Sequence, residues 1–251
     1  MNTRIDYAFL HGGGQGSWVW EKTIAALRQQ SLQDTGEAIA LDVPGCGTKR
    51  GRDTASTSVD DIVNELLADL DAARAENVVL VGHSQAGCIM PRLAEKRPEL
   101  FLRLVYVSCS SPLPGQTVLQ MMGTGRHGSN PNEVGWPFDP KEAGDMRQRY
   151  PLMFTNDMPP VQAENFLATL GRDAWPSASY AATDWRYDHL SDVASSYVVC
   201  LRDGVLPVEW QEKFAVRFKT QRVVRIDAGH QAMNSRPHGL AEIIRREAVA
   251  D

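Results

Sequence analysis

The chain has 251 residues, 43% hydrophobic and 23% charged, enough for one large globular core with room for an inserted lid. Its net charge of −5, with acidic and basic residues interleaved, argues against a nucleic-acid or anionic-membrane partner, and its apolar runs fall far short of a membrane span. No hydrophobic leader follows Met1, because Asn2, Thr3, Arg4 and Asp6 lead straight into a strand pattern, so a cytoplasmic protein without an export signal is expected.

The four cysteines, Cys46, Cys88, Cys109 and Cys200, show no C-x-x-C pairing and no neighbouring histidine. They read as small buried hydrophobes in a reducing compartment, and neither a metal site nor any other cofactor is expected.

In chain order, Ile5 to Leu10 forms a first strand that runs into His11-Gly12-Gly13-Gly14-Gln15-Gly16. These glycines lack the spacing of a nucleotide-binding loop, but a glycine turn after a strand lets backbone N–H groups face a cavity, as an oxyanion hole requires. Trp18, Trp20, Ile24 and Leu27 then recur at helical spacing as a core stripe. A second strand, Ala38 to Val43, closes on Pro44-Gly45-Cys46-Gly47, and the polar stretch from Lys49 to Ser58 reads as loop. Ser58 with Asp61 opens a helix as a capping box, and Val59, Ile62, Val63, Leu66, Leu67 and Leu70 form its apolar stripe.

The stretch Asn77 to Gly87, N-V-V-L-V-G-H-S-Q-A-G, organises the rest. Val78 to Val81 has the composition of a strand buried on both faces, and it ends on Gly82, His83 and Ser84. Gly82 and Ala86 leave room for a sharp reversal into a helix, which lifts the Ser84 hydroxyl into a strained, exposed position, a nucleophile elbow. The blander alternative is a strand-to-helix turn in which Ser84 is only a cap. A helix from Gln85 to about Arg97 stops at Pro98, and Leu102 to Ser108 is the next strand. Strand alternating with helix implies an α/β fold, a mostly parallel, doubly wound sheet with helices on both faces.

From Pro112 to Asp192 the rhythm is lost, and large apolar residues such as Met121, Trp136, Phe154, Trp175 and Tyr180 appear irregularly. A structureless loop of that length is improbable, so residues 112–192 are expected to form an inserted cap of short helices, with 1–111 and 193–251 as the core. The cap's apolar residues either seal it to the sheet or line a substrate pocket beneath it. Tyr197 to Leu201 returns to strand, followed by Arg202-Asp203-Gly204 and a helix from about Val208 to Phe218. Arg222 to Ile226 is the last strand, ending at Asp227-Ala228-Gly229-His230, after which Ser235 is expected to cap a final helix with Pro237 in its first turn.

Ser84, Asp203 and His230 thus stand at the carboxyl ends of three strands, the edge where sites gather in open parallel sheets. Ser84 is too weakly acidic to attack a carbonyl unaided, so an imidazole must take its proton and a carboxylate must hold that imidazole's tautomer. His83 lies beside the nucleophile on a tight turn and reads as packing, and His11 as an organiser of the glycine turn. His127, His189 and His238 read as surface residues. Asp227 is too close in sequence to His230 to orient it easily, and the strand ending at Ser108-Cys109 offers no carboxylate.

The motifs H-G-G-G-Q-G-S-W-V-W, V-G-H-S-Q-A-G, L-R-D-G-V-L-P and A-G-H-Q-A-M-N-S-R-P together resemble the α/β-hydrolase superfamily. The branch is similar to that of plant methylesterases, hydroxynitrile lyases and bacterial pyrethroid-hydrolase-like esterases, with the likeness weakest through the cap. The resemblance implies Ser84 as nucleophile, Asp203 as acid, His230 as base and the backbone amides of Gly13 and Gln85 as the oxyanion hole. It also places Gly12 and Gln231 beside the substrate, where lyase members carry Thr and Lys. Without a cation next to the base a leaving cyanide lacks its charge partner, so hydrolysis is favoured. The expected function is a serine ester hydrolase acting on small to medium apolar or aryl esters, with a small-molecule ester as partner and a homodimer among the open oligomeric states. A lyase, a carbon–carbon bond hydrolase or a low-turnover receptor on the same fold are the alternatives.

Overall fold

The computed structural model describes residues 4–30, 35–142 and 144–250, so Met1 to Thr3, on which the reading of the amino terminus partly rests, lie outside the described residues. Strands β1 (Ile5–Leu10), β2 (Thr35–Leu41), β3 (Val78–His83), β4 (Phe101–Val107), β5 (Ser195–Cys200) and β6 (Arg222–Ile226) form one sheet in the order β2-β1-β3-β4-β5-β6. All of these pairings are parallel. Helices α1 (Glu21–Gln30), α2 (Val59–Ala72) and α3 (Met90–Lys96) belong to the first half. Between β4 and β5 run the short helices α4 (Val118–Met122), α5 (Tyr150–Phe154), α6 (Pro160–Thr169) and α7 (Ala178–Ala181), with single 3-10 turns among them. Then come α8 (Val208–Arg217), α9 (Ala232–Ser235) and α10 (Pro237–Ala248).

The period of two along β3 builds both halves of the core. Val78 and Leu80 pack with Leu66 of α2, Leu93 of α3 and Phe214 of α8, whereas Val79 and Val81 pack with Leu27 of α1 and Leu240 and Ile244 of α10. Every β3 residue is buried, and each such aliphatic side chain contributes roughly 1.5–3 kcal/mol. The register then sets the site's position: Gly82 lies level with Leu10 of β1 and Tyr106 of β4. The residues that follow β1, β3 and β4 therefore emerge at one rim. Because β1 sits between β2 and β3, that rim is also where the strand order reverses, the place where open parallel sheets gather their ligands.

Several expected elements are confirmed and some change. The capping box before α2 is present, with Asp61 N–H donating to Ser58 Oγ and Asp61 Oδ2 accepting from Ser58 N–H. The second strand starts earlier and ends at Leu41, because the Asp42 carboxylate collects the N–H and hydroxyl of both Ser17 and Thr48, and Val43 N–H donates to His11 Nε2 at 3.2 Å. Trp18 and Trp20 lie in a 3-10 turn, Ser17–Trp20, that precedes α1. The helix after the elbow is likewise split, into a 3-10 turn Ser84–Cys88 and α3, since Pro91 has no N–H and is accommodated only in a first turn. Ser235 does not cap the final helix: it ends α9, its N–H donating to Gln231 O, and Arg236 takes the cap position ahead of Pro237.

All four cysteines are free and buried, and burial pushes the Cys46 and Cys88 thiols up to about 12. No helix among the described residues is long and apolar enough to cross a membrane.

Candidate active site

Ser84 follows the last residue of β3 with φ +53°, a left-handed conformation that costs a non-glycine residue about 1–3 kcal/mol. The surroundings hold it there. A β carbon on Gly82 would lie 2.2 Å from Met90 Sδ, and one on Gly87 2.3 Å from the Ser110 carbonyl, so the turn closes only around glycine at both places. Ser110 N–H also donates to Ser84 O at 3.0 Å.

Two other loops deliver the partners. His230, on the turn after β6, places Nε2 3.1 Å from Ser84 Oγ, and Asp203, on the turn after β5, places Oδ2 2.7 Å from His230 Nδ1. The Asp203 and His230 side chains are almost fully buried. A carboxylate only accepts, so Nδ1 carries the imidazole hydrogen and the Nε2 lone pair faces the Ser84 hydroxyl. Asp203 is aimed by its own turn, since Oδ1 accepts N–H groups of Val205 and Leu206 at 2.7 and 2.8 Å. Chemically, the serine proton can pass to Nε2 while the buried carboxylate stabilises the cation that forms.

Ser108 joins this group: its hydroxyl donates to Asp203 Oδ2 at 2.5 Å and lies 3.5 Å from His230 Nδ1. It carries no sequence signature of its own, because a carboxylate is the residue type that a triad leads one to look for at that strand end. His83 packs as expected, with its ring centroid 4.5 Å from that of His230, and it also donates from Nε2 to the His230 carbonyl at 2.9 Å. Burial, helped by the neighbouring His230, pushes its imidazole well below the usual histidine range, so His83 is a neutral strut. His11, lowered mainly by burial, bonds the Gly12 carbonyl through Nδ1 at 2.8 Å and accepts from Val43 through Nε2. His127 and His189 are half-buried and His238 is exposed.

The glycine turn meets the elbow closely. A β carbon on Gly12 would lie 2.9 Å from His83 Nδ1 and 3.0 Å from Ser84 Cβ, and one on Gly13 would lie 2.3 Å from Gln85 Oε1. Gly13 therefore lies against the Gln85 side chain. The Gln85 carboxamide, buried, turns toward the segment between β4 and β5 and donates to Ser179 Oγ at 3.3 Å. Gln231 is wholly buried beside His230, and neither atom of its side-chain amide has a hydrogen-bond partner among the described residues.

The segment between β4 and β5 reaches this rim at several points. The Phe154 ring lies 5.9 Å from that of His230, and Trp175 Nε1–H donates to the Gly12 carbonyl at 3.0 Å. Met121, Met122, Phe138, Met153 and Trp185 instead join the core shared with the sheet, whereas Phe154 and Tyr180 are only partly buried.

Residues 8–243 match the alpha/beta hydrolase family, and the chain belongs to it. Among relatives, "Putative methylesterase 11, chloroplastic" of Arabidopsis thaliana is 26% identical over 258 residues, covering 95% of this chain and 62% of the relative. Esterase PIR7B of Oryza sativa subsp. japonica is 30% identical over 117 residues, 46% of this chain and 42% of the relative. The chain thus spans less than two thirds of the length of these relatives. A pyrethroid hydrolase from Sphingobium faniae JZ-2 shares the fold with a TM-score of 0.77 at 22% identity, over 99% of this chain and 98% of the other. Polyneuridine aldehyde esterase does so with a TM-score of 0.72 at 22% identity, over 97% and 99%.

Proposed function

We propose that this protein hydrolyses carboxylic esters through an acyl-enzyme on Ser84. The observation that carries the reading is the continuous run from Ser84 Oγ through His230 to Asp203, at 3.1 and 2.7 Å, built from three separate loops. In this mechanism Ser84 Oγ attacks the ester carbonyl as His230 Nε2 takes its proton, and Asp203 holds the imidazolium. The Gly13 and Gln85 N–H groups receive the oxyanion, a contribution of about 3 kcal/mol per donor. The alcohol leaves with the proton from Nε2, and a water activated by the same nitrogen releases the acid. No cofactor enters the reaction.

Residues 112–192 serve as a cap in this reading, with Phe154 and Tyr180 toward the substrate. Their aromatic surfaces favour small to medium apolar or aryl esters. The names of the relatives, methylesterase and esterase, support ester chemistry. Gly12 weighs against lyase chemistry, since with His83 and Ser84 in place a threonine side chain has no room there. Gln231 offers no cation beside the base.

Ser84→Ala is expected to lower kcat on p-nitrophenyl acetate by about six orders of magnitude, leaving only the residual rate that binding and the oxyanion donors supply. Turnover by that variant at the parent rate would remove the proposal.

A further inference from the structure

The turn between α5 and α6, Thr155-Asn156-Asp157-Met158, contacts both loops that carry the acid and the base. Asn156 Nδ2 donates to the Arg202 carbonyl at 2.7 Å, one residue before Asp203. Asp157 Oδ2 accepts the Gly229 N–H at 2.7 Å, one residue before His230. Two adjacent side chains of the insertion therefore span from the loop after β5 to the loop after β6.

The fit is close on both sides. A β carbon on Gly229 would lie 2.4 Å from Asn156 Oδ1 and 2.6 Å from Asp157 Oδ1, and one on Gly204 would lie 2.4 Å from the carbonyl of Leu152 in α5. Glycine therefore stands directly after the acid and directly before the base, at the two places where the insertion presses on them. Arg202 N–H also donates to the Ala228 carbonyl at 2.9 Å, so the two loops are tied to each other as well as to the bridge above them.

We infer that Asn156 and Asp157 are positioning residues that set the separation of Asp203 and His230, so that the acid–base pair is complete only while the insertion is seated. The inference rests on the ester-hydrolase reading above. Neither residue touches the reacting atoms; each acts through the backbone next to one that does. Because a misplacement of about 1 Å in such a pair costs about 100-fold in rate, two short bonds at this place are enough to govern turnover.

The test uses the full chain with Asp157→Ala, Asp157→Asn and Asn156→Ala, p-nitrophenyl acetate as substrate, and Ser84→Ala as control. Asp157→Ala is expected to lower kcat about 10- to 100-fold while KM stays within about twofold. Asp157→Asn keeps an acceptor for Gly229 N–H and should remain within about threefold of the parent, and Asn156→Ala should show the Asp157→Ala pattern more weakly. If Asp157→Ala does not fold, Asn156→Ala carries the same two readouts. Parent-like kcat with only a lower melting temperature would overturn the inference, as would an Asp157→Asn variant as impaired as Asp157→Ala. An inactive Ser84→Ala beside a parent-like Asp157→Ala discards the bridge alone, whereas an active Ser84→Ala discards the underlying reading.

Discussion

At Ser84 a left-handed backbone, the Gly82 contact with Met90 and the His230 imidazole all act on one hydroxyl. The strain is held by packing, and the direction of the proton is fixed one residue further out, by Asp203. That carboxylate accepts from Ser108, Val205 and Leu206 as well as from His230, so its orientation does not depend on the imidazole. Asp203→Asn would preserve much of this geometry but offers the imidazole an amide in place of an acceptor-only carboxylate, which favours the wrong tautomer. A loss of about four decades in kcat, with KM little changed, is expected from steady-state kinetics on p-nitrophenyl acetate. A loss below tenfold would mean that another group orients the base.

At the scale of elements, the segment between β4 and β5 is fastened to the rest by hydrogen bonds as well as by apolar packing. The Asp173 carboxylate, which follows α6, accepts from Gly47 N–H at 2.8 Å, Trp18 Nε1 at 2.9 Å and Arg50 at 2.9 and 3.0 Å. Burial alone would raise this carboxyl, but the Arg50, Trp18 and Gly47 bonds outweigh it and hold it below the usual range. Arg50 is substantially exposed, so solvent screens much of the ion pair and most of the cost of deletion lies in the stranded neutral donors. Asp173→Ala should therefore destabilise by roughly 1–3 kcal/mol and raise KM, with the melting temperature and steady-state kinetics as readouts. Unchanged values for both would show that the segment between β4 and β5 is held elsewhere.

Elements whose causes are local were legible in the sequence, and those whose causes are distant were not. The Ser58–Asp61 box and the β3 run announce themselves within a few residues. The end of β2 depends on Asp42 finding Ser17 and Thr48, and the importance of Gly229 depends on a turn more than seventy residues earlier, which no periodicity reveals. That Ser84, Asp203 and His230 meet was legible because each follows a strand, and strand ends in a parallel sheet converge. Ser108 obeys the same rule but is not a residue type the chemistry demands. Ser235 misled because a serine before a helical proline reads as a cap, although its own backbone is already committed to α9.

For the molecule as a whole, the reversal of strand order at β1 and β3 puts the glycine turn and the elbow side by side, and two buried neutral histidines line that seam. His11 and His83 both have lowered folded pKa values, whereas in the unfolded chain each binds a proton near pH 6.5. Below that value the unfolded state holds more protons, so stability falls as pH decreases, by up to about 1.4 kcal/mol per pH unit for each histidine. Asp6, Asp173 and Glu247 have lowered pKa values, so their contribution persists until well below this window. Urea midpoints should therefore decline from pH 7.5 to 5.5, and a flat profile would contradict the neutral seam.

The chemistry proposed for this protein concentrates on one oxygen atom, Ser84 Oγ. Labelling the full chain with a fluorophosphonate and mapping the adduct by mass spectrometry tests it most directly. The expected result is a single adduct on the peptide containing Ser84, lost in Ser84→Ala and formed far more slowly in His230→Ala. An adduct on a different serine, or an unlabelled Ser84 in a chain that still turns over esters, would contradict it.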